Sequence, residues 1–169
     1  MPIKEGTKAL AMIGLACGCL LSNAPGAAAP PDGPRIANER IYFTLSPDGR
    51  RFGLGFANEP PSLSGDRGLF DMMVALGKRH EWGIDPAAQV AEVTADGATL
   101  VARYAKIQHA GAGHDVAIEL RFTLEDDAVA CEATIRNRSD LAIEEFWFPW
   151  VGPFRGLGAD PANDTLILP

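Results

Sequence analysis

The clearest pattern in the chain is the alternation of apolar and polar positions from Asp115 to Glu125. Val116, Ile118, Leu120, Phe122 and Leu124 share one face, and Asp115, Glu119, Arg121, Thr123 and Glu125 share the other, because successive strand side chains point to opposite sides. The next run divides the same way, with Val129, Cys131, Ala133 and Ile135 against Glu132, Thr134, Arg136 and Arg138. One greasy and one charged face mark an antiparallel sheet with one side in water. His114–Glu125 and Ala128–Arg138 therefore predict a hairpin turning at Asp126–Asp127. A second hairpin is predicted from Arg40–Leu45 and Arg51–Ala57, across the turn formers Pro47, Asp48 and Gly49. A third joins Ala88–Thr94 to Ala98–Gln108 through Ala95–Gly97. Gly68–Leu76, Ala142–Val151 and Asn163–Leu168 read as further strands, with a short helix as the alternative for the first. No window carries a long helical stripe. Strands joined by turns, without intervening helices, predict an all-β antiparallel sandwich, with a closed barrel as the alternative.

The N-terminus has a different pattern. Lys4 and Lys8 precede a 13-residue run without charge, Ala9–Leu21, and then small residues, SNAPGAAAP. This order is that of a secretory signal over residues 1–28, with cleavage near Ala27 or Ala28. The run is too short to cross a hydrocarbon core of roughly 30 Å as a helix, so no stable membrane span is expected after cleavage. The expected destination is the periplasm or the outside of the cell. Lipid attachment at Cys17 or Cys19 is the lesser alternative, because Gly14 and Ala16 stand where a bulky aliphatic is wanted three residues earlier. Residues 29–35 read as a Pro- and Gly-rich linker, and 36–169 as the β-sandwich domain. The closing TLILP run is apolar and β-prone, which predicts a domain truncated at its C-terminal end.

Charge and chemistry narrow the function. The chain carries −7. The signal holds Lys4, Lys8 and Glu5, a net +1, which leaves −8 on the remainder and argues against nucleic acid and anionic membrane surfaces. Only Cys131 remains after the signal, too few thiols for an internal disulfide, and its place in an alternating strand makes it a small buried hydrophobe. His80, His109 and His114 do not show metal-ligand spacing, and the last two are expected in solvent beside an AGAG turn. Calcium leaves no motif by which to judge it. Asp126–Asp127 reads as turn chemistry, and Glu144 and Glu145 should face opposite ways on a strand, so neither doublet makes a facing carboxylate pair. Gly53 and Gly55 lie inside a strand rather than before a helix, which argues against a phosphate loop. No catalytic residue, metal or cofactor is predicted.

The most informative stretch is FWFPWVGPF, Phe146–Phe154. Phe146, Phe148 and Trp150 fall on one face, with Trp147 and Pro149 opposite. Aromatic surface on both sides of one strand fits two uses. One is packing against a neighbouring domain. The other is stacking on the apolar face of a sugar. Trp147, Trp150 and Phe154 are the candidate carbohydrate-binding or domain-interface residues. Pro149 should sit at an edge or a bulge. Asn137-Arg-Ser139 and Asn163-Asp-Thr165 also fit the glycosylation acceptor pattern.

The run VAIELRFTLEDDAVACEATIRNRSDLAIEEFWFPWVGPFRGLG, followed by ANDTLILP, resembles the N-terminal β-sandwich of large bacterial glycoside-hydrolase-like proteins related to the endo-α-N-acetylgalactosaminidase group. The resemblance rests on the strand pair, the Asn137–Ser139 turn, an FP-x-x-G segment (Phe148, Pro149, Gly152), and a D-x-L-x-L-P segment (Asp164, Leu166, Leu168, Pro169). A weaker match over Gly68–Leu76 extends it to residues 36–169. It implies a supersandwich of the galactose-mutarotase-like type and a downstream (β/α)-barrel carrying the catalytic carboxylates. No catalytic residue of that group maps onto this chain. The partners so implied are a catalytic barrel domain or a polysaccharide.

Overall fold

The structure, a computed structural model, describes residues 7–14, 32–65, 68–76, 79–81 and 83–149. Its strands are β1 (Thr7–Gly14), β2 (Arg35–Ala37), β3 (Ile41–Leu45), β4 (Phe52–Phe56), β5 (Leu63–Gly65), β6 (Asp71–Leu76) and β7 (Arg79–Glu81). They continue with β8 (Glu92–Asp96), β9 (Thr99–Tyr104), β10 (Ile107–His109), β11 (Ala112–His114), β12 (Val116–Leu124), β13 (Ala128–Asn137) and β14 (Ala142–Trp147). A 3-10 turn at Pro86–Ala88 is the one helical element among the described residues, and none there is long and apolar enough to cross a membrane.

All pairings are antiparallel. The largest sheet has the order β1-β13-β12-β9-β8, a second β2-β3-β4-β5, a third β14-β6-β7, and β10-β11 is a separate hairpin. The expected β12–β13 hairpin is in register from Val116↔Asn137 to Leu124↔Val129. Its apolar face is buried: Val116, Ile118, Leu120, Phe122, Val129, Cys131, Ala133 and Ile135 are all 2% exposed or less. These residues share one core with Ile41, Phe43 and Leu54 of the second sheet and Met72, Val74 and Ile143 of the third. The fold is an all-β antiparallel sandwich, not closed into a barrel. The opposite face of the large sheet is wet, and there Glu119 accepts from Arg103 at 2.9 Å and Arg121 at 3.0 Å.

Several elements differ from expectation. β2 begins at Arg35, the last residue of the expected linker, and Pro34 O already accepts from Leu45 N–H at 3.1 Å. The expected strand Ala98–Gln108 breaks at Tyr104. The chain then makes the β10–β11 hairpin, whose turn residues Ala110 and Gly111 both have positive φ. β8 starts later than expected because Gln89 supplies its amide in place of strand backbone. Its Oε1 accepts from Gln108 N–H at 2.9 Å, and its Nε2 donates to Gln108 O at 2.8 Å. Gly55 lies where Tyr42 crosses β4. A Cβ there would stand 2.9 Å from Tyr42 Cε1, so the glycine is a packing requirement.

The layers are tied beyond β3 at both ends. Near Ile41, Asn38 donates from Nδ2 to the carbonyls of Glu125 (2.9 Å) and Asp126 (3.0 Å) in the β12–β13 turn. Its Oδ1 accepts from the N–H groups of Arg40 and Ile41. Asn38→Ala removes all four bonds, and a loss of roughly 1–3 kcal/mol in unfolding free energy is expected by urea denaturation. A loss below roughly 0.3 kcal/mol would show that this tie carries no net stability.

Candidate functional site

β14 owes its geometry to a bulge. Ile143 pairs with Val74 and Glu145 with Met73, so Glu144 is an extra residue. Ahead of the bulge Ile143 points to the core, and beyond it the even positions Phe146 and Phe148 do. A regular strand would have turned those rings outward. Glu144 and Glu145 thus flank a register shift, with Glu144 half-buried and Glu145 exposed.

The inward rings extend a line of aromatic contacts across the sandwich. Phe52 lies 6.0 Å from Phe43, Phe43 4.7 Å from Phe122, and Phe122 5.7 Å from Phe148. Phe148 lies 6.2 Å from Phe146, Phe146 5.4 Å from Phe70, and Phe70 5.1 Å from Tyr104. All these separations are in the range of favourable ring pairs. Two of the aromatics in the Phe146–Phe154 stretch therefore pack against the core from partly buried positions.

Trp147, between two inward residues of an extended strand, lies on the other face. β14 is an edge strand of its sheet, and the residue after it, Phe148, joins Pro149 through a cis peptide bond. Trp147 is half-buried and stands in register with Asp71, while Glu145, two residues earlier on the same face, stands in register with Met73. Asp71 holds its own position by accepting from Met72 N–H at 2.8 Å. A flat indole with two carboxylates beside it can stack on an apolar ring face and accept hydrogen bonds from hydroxyls. Trp150 and Phe154 lie outside the described residues. Asp71 was not anticipated as a neighbour of Trp147, because only the β6–β14 register brings them together.

The Ser46–Arg50 turn joins β3 to β4 as expected, and it is also a partly buried junction with the segment around Ala91 and Tyr104. Gly49 has φ 68°, and a Cβ on it would stand 2.7 Å from Ala91 Cβ. Gly49 O accepts from the Tyr104 hydroxyl at 3.0 Å, and Asp48 O from Ala91 N–H at 3.0 Å. Burial, with the Asp48 carboxylate nearby, pushes the Tyr104 phenol well up. Burial also acts to raise Asp48. The Ser46 hydroxyl, the Arg50 N–H and the Arg50 charge outweigh it and hold the carboxyl below its ordinary 3.8. These polar groups are engaged with one another, which makes the junction structural.

The other candidates resolve similarly. Cys131 is fully buried, donates weakly to Val129 O, and burial pushes its thiol up to about 12, so it is no nucleophile near neutral pH. His109 is 9% exposed, contrary to the expected solvent position, because it shares the inward face of β10 with buried Ile107. Its ring centroid lies 6.1 Å from that of His114. Asn137 closes the loop after β13: Nδ2 donates to Leu141 O at 2.6 Å, and Oδ1 accepts from Ser139 N–H and Oγ. The Asn-Arg-Ser triplet is thus turn chemistry. Among the described residues no group of three or more His, Cys, Asp and Glu side chains is placed to hold a metal ion.

Two outcomes follow from this geometry. Phe148→Ala should cost roughly 2–3 kcal/mol, below the roughly 3–5 of a fully buried phenylalanine, and Trp147→Ala distinctly less by the same denaturation measurement. Equal losses would contradict the division of the strand into a core side and an outer side. For Asp48 the folded pKa lies below the unfolded one. Its stabilisation is present above about pH 4 and disappears as pH falls through the folded value. Asp48→Asn should therefore flatten the acid limb of stability against pH; an unchanged limb would contradict this. No protein-family model, curated protein or solved structure matches the chain.

Proposed function

We propose that this chain is the β-sandwich unit of an exported glycan-degrading protein, cleaved after about residue 28, and that it supports a catalytic barrel domain rather than carrying the reaction itself. The observation that carries this reading is the division of the aromatic strand. Phe146 and Phe148 serve the sandwich's own core, while Trp147 stands on the other face of an edge strand. The chain then leads directly to the further aromatic positions Trp150 and Phe154. The resemblance of Val116–Gly158 and Ala162–Pro169 to glycoside-hydrolase-like sandwiches supplies the substrate class and the barrel partner. Sequencing downstream of the coding region tests the reading. A barrel-encoding frame, continuous or split by a frameshift, is expected; unrelated sequence behind a conventional terminator would remove the scaffold role.

A second reading has its own support. Asp71 and Glu145 beside Trp147 are the polar groups that a sugar-stacking indole needs. In that case the unit binds polysaccharide by itself. Calorimetric titration of the chain against soluble polysaccharides should then show binding that weakens at least about tenfold in Trp147→Ala, a change of about 1.4 kcal/mol. Absence of binding by the folded chain would leave the scaffold role alone.

A further inference from the structure

The edge of the large sheet carries an inference beyond this reading, resting on its claim that residues 1–28 are removed. The strand paired to β13 at that edge is β1, which lies wholly within the removed segment. β1 matches β13 poorly in pattern. β13 alternates apolar and polar, whereas β1 reads TKALAMIG, and the register pairs Leu10 with Glu132 and Met12 with Ala130, two outward positions of β13. Cleavage leaves a ten-residue strand with a bare row of backbone groups, the kind of edge that pairs with another strand.

We propose that β13 of the processed chain pairs with β13 of a second copy, antiparallel about a two-fold axis at Thr134. The outward positions of β13 are Ala130, Glu132, Thr134 and Arg136. With the axis at Thr134, Glu132 of each copy stands opposite Arg136 of the other, and threonine stands opposite threonine. Opposite charges and Thr–Thr pairs are favourable across strands. Moving the axis to Glu132 or to Arg136 sets like charges against each other.

The backbone permits the same register. Glu125 N–H donates to Ala128 O, and Arg138 N–H donates to Asp115 O. Even positions of β13 therefore bond toward β12, and odd positions toward the edge that β1 occupies. Centred on Thr134, the odd residues meet as hydrogen-bonded pairs, Ala133 with Ile135 and Cys131 with Asn137. The even residues meet as the closer, non-hydrogen-bonded pairs, which suits the Glu132–Arg136 contact. Inward faces stay inward, so Ala133 and Ile135 continue the apolar layer from one copy into the next.

The test uses the full chain expressed with its own first 28 residues and recovered after export, with mass spectrometry to locate its N-terminus and light scattering to give its oligomeric state. A processed dimer is expected. Glu132→Arg alone and Arg136→Glu alone should each raise the dimer dissociation constant by at least about tenfold. The double substitution should restore it, with circular dichroism showing that every variant is folded. A processed chain that is monomeric at about 100 μM would overturn self-pairing while leaving export intact, as would be seen if Asn163–Leu168 covered the edge instead. A dimer indifferent to all three variants would overturn this interface. Retention of residues 1–28 would overturn both the export reading and the pairing that rests on it.

Discussion

Phe122 lies 4.7 Å from Phe43 and 5.7 Å from Phe148. Those two contacts join the large sheet to the second sheet and to the residue that follows β14 of the third. The ring is 1% exposed and sits on the most regular strand of the chain. Its neighbours come from residues far apart in sequence, so contacts of this kind decide how the sheets stack. The bulge at Glu144 follows from this demand, since it turns Phe146 and Phe148 toward the core after Ile143 has already pointed there.

The same constraint separates structure from function on β14. Rings bound into the core cannot stack on a ligand or on another domain. Trp147 lies on the other face, because an extended backbone sets it opposite its neighbours. Its surroundings, Asp71, Met73 and Glu145, come from the register between two strands rather than from any local motif. That face is where the proposed sugar or domain contact would lie. The junction at Ser46–Arg50 and the Asn137 turn spend their polar groups on internal hydrogen bonds.

Much of the fold was legible where alternation is long and turn residues are strong. The β12–β13 and β3–β4 hairpins follow from period-two runs bounded by Asp126–Asp127 and Pro47–Gly49. Three-residue strands such as β2, β5 and β7 are too short to show a period. The AGAG turn was legible between His109 and His114, but the flanking β10 and β11, three residues each, are too short to show a period. The bulge did leave a signal: the apolar parity changes from odd at Ile143 to even at Phe146, which a regular strand cannot satisfy. In the candidate site Trp147 was legible from alternation, while the pairing with Asp71 required long-range register. His109 was misplaced because a histidine beside a glycine turn reads as exposed until Ile107 sets the inward face.

Phe148 closes the sandwich through Phe122, and a double-mutant cycle between them measures that contact directly. Phe122→Leu, Phe148→Leu and the pair together, followed by urea denaturation, should give a coupling of about 0.5–1.5 kcal/mol, as interacting aromatic pairs do. Additivity within about 0.3 kcal/mol would show that the rings lie close without holding the layers together.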